Sequence, residues 1–353
     1  MSEKPLRHLY VRAPNWVGDL VMATPVLEAA REALHAGRIE RLTIGLRAHL
    51  VGVLAGGRLE HHLAPFASDG EELLVLRRLA PDGALVLSNS FGAAWRVFRA
   101  GVPLRFGSAL SNRRFLLTHS VVPPTREGRR APIPTAHLLR DVAGLAGLLV
   151  EDLHPRLEVA PRAREAQAAQ LSELGLSRGT DYVLCTPGAA FGAAKLWPPE
   201  HFARALDLAA ERFGWRAVIT GGPGEEPLIE RVAAATKRGA ISLARARRDL
   251  EGLKALVAGA RLLLVGDSGP RWYAAAFDVP CVSVMGPNFP ELTASSLEFA
   301  EIVRYAAPGE LECAPCLERV CPLGHHRCMR ELAPERVVAA MERVLARRGS
   351  EGP

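Results

Sequence analysis

An α/β protein made of two successive Rossmann-like halves is the fold class this sequence predicts. Three observations carry it. Short apolar runs alternate with stretches of helical apolar spacing, the alternation occurs twice, and 353 residues are more than one hydrophobic core usually serves.

In the first half, Leu9-Tyr10-Val11 reads as a strand, and Asn15 to Pro25 follows as a turn containing Gly18. The apolar spacing of Val26 to Leu34 then suits a helix. Leu42 to Leu46 and Ala84 to Leu87 are further apolar runs, with a helix predicted over Gly92 to Arg99. Prolines at 123, 124, 132 and 134 mark an irregular loop, and a helix from His137 to Leu149 closes the half. Such alternation argues for a parallel sheet covered by helices on both faces.

The second half repeats the plan without repeating the sequence. A connecting helix over Ala163 to Leu174 leads to strands at Tyr182 to Cys185, Ala217 to Ile219, Leu262 to Val265 and Cys281 to Val284. Helices are expected over His201 to Arg212, Glu225 to Ala235, Asp249 to Ala258 and Pro270 to Phe277. Pro334 to Arg347 is a closing amphipathic helix. The domains expected are 1–160, 161–333 and a terminal segment 334–353 that could cross the domain junction.

Composition narrows the class. Hydrophobic residues make up 48% and charged residues 23%, as in ordinary globular proteins. No apolar run approaches the roughly 20 residues that span a bilayer, and Met1 to Lys4 do not begin a signal peptide, so a cytoplasmic protein is expected. The net charge of +6 comes from arginine, with eight arginines between Arg96 and Arg130. No nucleic-acid motif accompanies them, which leaves a solvated basic face or a surface for an anionic partner such as a phosphorylated glycolipid.

Chemistry concentrates at three predicted strand ends. Asp19 sits where a first strand meets its helix, the edge at which open α/β sheets bind ligands. It is either a first-turn helix acid or a general base. Cys185 to Pro198 joins a glycine-rich loop to Lys195, which suits a phosphate. It is no Walker loop, because Ala193 stands where glycine is required and Leu196 follows the lysine. Nor does a Gly-x-Gly-x-x-Gly follow any strand, which argues against a nucleotide dehydrogenase or P-loop kinase. Gly266-Asp267-Ser268-Gly269-Pro270 is the third end, either an N-capped helix start or a place where the Ser268 and Gly269 amides meet an anion.

Pro14 to Asp19, Gly188 to Pro198, Asp267 to Pro270 and Cys313 to Cys328, in this order and spacing, resemble glycosyltransferase family 9, the ADP-heptose:lipopolysaccharide heptosyltransferases. The likeness runs over nearly the whole chain. It implies a GT-B architecture, with the acceptor on the first Rossmann-like domain and the sugar nucleotide on the second. It implies an inverting transfer from ADP-heptose to the inner core of lipopolysaccharide at the cytoplasmic membrane face. No cofactor, catalytic metal or nucleic acid is implied. By position Asp19 matches the family's catalytic carboxylate, Thr186 and Lys195 its diphosphate loop, and Asp267, Ser268 and Gly269 its donor turn. A ribose-binding acid falls at Glu225 or Glu226, and Trp272 stands where the family commonly has histidine. Another donor or acceptor, or a silent sugar-nucleotide-binding protein, are the alternatives.

Cys313, Cys316, Cys321 and Cys328 are four of the six cysteines, with His325 and His326 among them. Thiols this close in a reducing compartment suggest a structural metal such as zinc, although the spacing is not that of a zinc ribbon. Free thiols packing a loop are the alternative.

Overall fold

Runs of residues buried on both faces become the central strands of two parallel sheets. In the computed structural model, which describes residues 6–126, 129–131, 133–189, 192–246, 249–293, 299–306 and 310–350, the first sheet holds six strands. They are β1 (His8–Arg12), β2 (Arg41–Arg47), β3 (Leu63–Phe66), β4 (Gly83–Val86), β5 (Leu104–Ser108) and β6 (His119–Val121). Their order is β3-β2-β1-β4-β5-β6, and every pairing is parallel. A small antiparallel hairpin of β7 (Thr125–Arg126) and β8 (Arg129–Arg130) follows.

The second sheet is wound the same way. It holds β9 (Tyr182–Thr186), β10 (Arg216–Ile219), β11 (Ala240–Ser242), β12 (Leu262–Val265), β13 (Cys281–Val284) and β14 (Ala300–Val303), in the order β11-β10-β9-β12-β13-β14. All of its pairings are parallel as well. In each sheet the winding reverses beside the first strand, between β1 and β4 and between β9 and β12. Backbones diverge at such a switch point, which leaves a crevice at the carboxyl ends of the strands.

The chain divides into one unit of Met1–Glu158 with Glu291–Ser296 and another of Val159–Pro290 with Leu297–Pro353. The terminal helix Pro334–Ser350, expected as a separate segment, belongs to the second unit. Its Val337, Ala340, Met341 and Val344 recur at helical spacing and are fully buried in one cluster with Trp197, Phe202 and Val284. Among the described residues no helix is long and apolar enough to cross a membrane.

Gly18 does not act as a turn residue. It lies inside a short helix, Val17–Met22, and is absent from the glycines of positive φ. The reversal after β1 is made by Ala13 to Trp16, and a second helix, Thr24–His35, starts with Pro25 in its first turn.

Candidate functional site

In the first unit, a buried charge chain builds the crevice at the end of β1. Arg12, with no exposed surface, donates from Nε to Glu72 Oε1 at 2.7 Å and from Nη2 to Asn15 Oδ1 at 2.7 Å. Glu72, also fully buried, takes Arg96 Nε on its other oxygen at 2.6 Å. Arg96 also pairs with Asp69 at 2.9 Å. Asn15 Nδ2 reaches Ser88 Oγ, just beyond β4, at 3.2 Å. Thus β1, the helices Asp69–Leu79 and Phe91–Arg99, and the loop leading to Asp19 are tied together by hydrogen-bonded charge.

Asp19 lies in the first turn of the helix Val17–Met22, half-buried. A capping acid would accept a hydrogen bond from that turn, but the N-cap position is Trp16 and no side chain caps it. Among the described residues the Asp19 carboxylate has no hydrogen-bond or ion-pair partner. Desolvation pushes its pKa up to about 6. A proton acceptor that titrates there, at a sheet switch point, has the properties of a general base.

Arg113 ties the end of β5 to the loop after β4, a role that the sequence does not single out. It is fully buried, with Nη1 donating to the carbonyls of Ser88 and Ser90 and Nη2 to Ser108 Oγ at 2.9 Å. Burial draws its pKa down to about 10, so it remains a cation at neutral pH. It fixes the Ser88-Asn89-Ser90 segment through main-chain oxygens. Only its burial marks it, and burial is not legible in an arginine's local sequence.

The second unit gathers its polar groups at the matching place. Lys195, on a single 3-10 turn of Ala193–Lys195 after β9, meets Asp267 Oδ2 after β12 at 2.6 Å, with both side chains only about a tenth exposed. Asn288 Nδ2 donates to the same oxygen at 3.0 Å. Two carboxyl-end loops are thereby joined across the switch point. Thr186 ends β9 with its hydroxyl oxygen buried and without a hydrogen-bond partner among the described residues.

Glycine makes this crowding possible. A Cβ on Gly188 would fall 2.0 Å from Glu225 Oε1, and one on Gly266 would meet the Gly188 carbonyl at 3.3 Å. Glu225 is thereby held against the loop after β9, and its Oε2 accepts from the Gly222 amide at 2.7 Å. Thr186, Lys195, Glu225 and Asp267 therefore share one edge of the second sheet. The middle of the lysine loop, Ala190 and Phe191, lies outside the described residues.

The turn after β12 departs from expectation at Ser268. Its amide is not free to meet an anion, because it donates to the Gly266 carbonyl at 2.8 Å. A tight turn consumes it. The Gly269 amide has no such bond among the described residues and heads a seven-residue helix, Pro270–Ala276. Trp272 is 4% exposed and packs in the interior, with the Arg271 guanidinium 5.9 Å from its ring centre. Trp197 is likewise interior, its indole N–H bonded to the Leu332 carbonyl at 3.1 Å.

The cysteine segment braces the lysine turn. The Arg319 carbonyl accepts from the Ala194 amide at 3.0 Å, and His326 Nε2 lies 2.8 Å from the Ala194 carbonyl. Cys313 Sγ stands 3.9 Å from His325 Nε2, and burial with the neighbouring thiols raises Cys328 to about 11. Among the described residues, no three Cys, His, Asp or Glu side chains are placed to hold a metal ion. The expectation of a structural metal thus gains no geometric support.

Comparison with known proteins agrees with this layout. The model of glycosyltransferase family 9 (heptosyltransferase) matches residues 75–327. Lipopolysaccharide heptosyltransferase 2 of Salmonella typhimurium is 25% identical over 362 residues, covering 97% of this chain and 99% of that one. Lipooligosaccharide heptosyltransferase 2 of Campylobacter jejuni is 23% identical over 343 residues, covering 95% and 98%. The solved ADP-heptose lipopolysaccharide heptosyltransferase II of E. coli superposes with a TM-score of 0.76 at 24% identity, over 97% of this chain and 99% of that one. With two parallel six-stranded sheets of matching order and a family match over most of its length, this chain is a member of glycosyltransferase family 9 and has the GT-B type of α/β fold.

Proposed function

We propose that this glycosyltransferase moves L-glycero-D-manno-heptose from ADP-heptose to a heptose of the lipopolysaccharide inner core, with inversion at the anomeric carbon. The observation that carries the reading is Asp19, a carboxylate without a partner among the described residues, at a sheet switch point, with a pKa raised to about 6. In the reaction its oxygen takes the proton of the acceptor hydroxyl as that oxygen forms the new bond to the anomeric carbon. The bond from that carbon to the diphosphate oxygen breaks, and ADP leaves with the electron pair.

Lys195 meets the diphosphate and lowers the cost of the charge it gains. Asp267 fits best as the residue that positions Lys195, since a carboxylate facing the diphosphate directly would repel it. Thr186 offers a hydroxyl, Gly269 an amide, and Glu225 a carboxylate for the ribose hydroxyls, whereas Ser268 can contribute only its side chain. The names of the relatives support heptose transfer to lipopolysaccharide, and the name of the E. coli structure supports ADP-heptose as the donor. Work at the cytoplasmic face of the membrane follows from a lipid-linked acceptor.

Incubating the purified chain with ADP-heptose and a defined inner-core acceptor tests this. ADP release that depends on the acceptor, with a heptosylated product, is expected; no product with any heptose-bearing core would overturn the reading. Lys195→Ala should weaken ADP binding roughly tenfold to a hundredfold by calorimetry, the loss of one charged hydrogen-bonding partner. Unchanged affinity would remove the lysine from the donor site.

A further inference from the structure

We propose that the outer face of the helix Phe91–Arg99 docks the first unit on the surface of an anionic lipid bilayer. Phe91, Trp95 and Phe98 recur at i, i+4 and i+7 and form one stripe. Ala93 and Val97, on the other side of the helix, are buried in the core. The three aromatic residues are 43%, 39% and 43% exposed, and Phe115 on the neighbouring turn Arg114–Leu116 is 70% exposed. The rings adjoin one another: Phe91 and Trp95 are 6.4 Å apart, Trp95 and Phe98 5.8 Å, and Phe91 and Phe115 6.1 Å. A continuous aromatic surface of this kind is costly in water and marks a binding face.

Charge selects lipid as the occupant. The exposed Arg99 guanidinium lies 5.8 Å from the Trp95 ring centre and Arg114 is exposed beside Phe115, whereas Arg105, 5.4 Å from the Phe98 ring centre, is held by the carbonyls of Val102, Pro103 and Leu116 and serves to back the ring. The helix's other arginine, Arg96, turns inward and is neutralised by Glu72 and Asp69. Cations bordering amphipathic rings suit the headgroup layer, where rings sit at the acyl boundary and guanidinium groups meet lipid phosphates. Phe91 directly follows Ser90, so the stripe begins at the carboxyl end of β4, beside the strand that leads to Asp19. The biological occasion for docking rests on the lipid-linked acceptor proposed above; the physical contact does not.

The test is co-sedimentation of the full chain with vesicles, in the absence of donor and acceptor. Wild type should pellet with phosphatidylcholine vesicles containing phosphatidylglycerol, and less so as salt is raised. The variant combining Trp95→Ser, Phe98→Ser and Phe115→Ser should lose roughly tenfold or more in partitioning. Arg99→Glu with Arg114→Glu, both surface changes, should lose roughly tenfold and most of the salt dependence. Both variants should transfer heptose to a water-soluble, deacylated core acceptor at the wild-type rate. Wild type that stays in the supernatant, or variants that pellet like wild type, would overturn the proposal. A wild type that binds vesicles but transfers nothing would sink only the transferase reading.

Discussion

At Asp19 the proposed role as general base and the stability of the fold pull in opposite directions. Its folded pKa of about 6 stands above the ordinary 3.8 because burial penalises the charged form. For a carboxylate shifted upward, that penalty is complete above the folded pKa and vanishes below the unfolded one. Asp19→Asn should therefore stabilise the protein at neutral pH, by up to about 3 kcal/mol, and leave it unchanged at a pH below 3.8. Thermal melts at the two pH values check this, and equal shifts at both would show that the carboxylate is not strained by burial. The sequence makes Asp19 and Lys195 visible as single polar residues at predicted strand ends. It cannot reveal that the Ser268 amide is spent on the Gly266 carbonyl, because that depends on the fine geometry of a turn.

Among the elements, legibility follows burial. The strands found from sequence, β1, β2, β4, β9, β10, β12 and β13, are the inner ones, enclosed on both faces, so their apolar runs are nearly unbroken. Most of the strands missed lie toward the margins; the exception is β5, an inner strand of the first sheet whose Leu104 and Arg105 are only partly buried, so that its apolar run is broken. β3 reads Leu-Ala-Pro-Phe and is mostly half-exposed, β6 is half-exposed throughout, and β11 and β14 are short with polar members. Such segments are held by a partnered edge rather than by a pattern of their own.

The helix Asp69–Leu79 illustrates a role the pattern hides, because it delivers the buried carboxylate of Glu72 to two arginines. Glu72→Gln should lower stability by about 3–5 kcal/mol, since two guanidinium groups lose the charge that compensates their burial. Chemical denaturation measures this, and a loss below about 1 kcal/mol would mean that water or Asp69 already serves those arginines.

For the molecule as a whole, one topology used twice presents two different sets of polar groups. Each unit places its polar groups at the carboxyl edge beside the first strand, where a Rossmann-like sheet leaves room for a ligand. The first unit has there an acid and a rigid wall of amide and hydroxyl side chains, whereas the second has a lysine, its aspartate and glycine-crowded loops. Fold class was readable from the doubled alternation of elements, because that alternation is set by the burial of whole sheets. The supporting contacts, such as Arg12 to Glu72 or His326 to Ala194, join residues 60 and 132 positions apart and leave no local trace.

The central claim is that Asp19 removes the acceptor proton while the donor is bound elsewhere, and Asp19→Asn measured for both activities tests it most directly. The account predicts that ADP-heptose binding by calorimetry stays within a few-fold of wild type while the transfer rate falls roughly a hundredfold to ten-thousandfold. A variant that transfers heptose at close to the wild-type rate would contradict it.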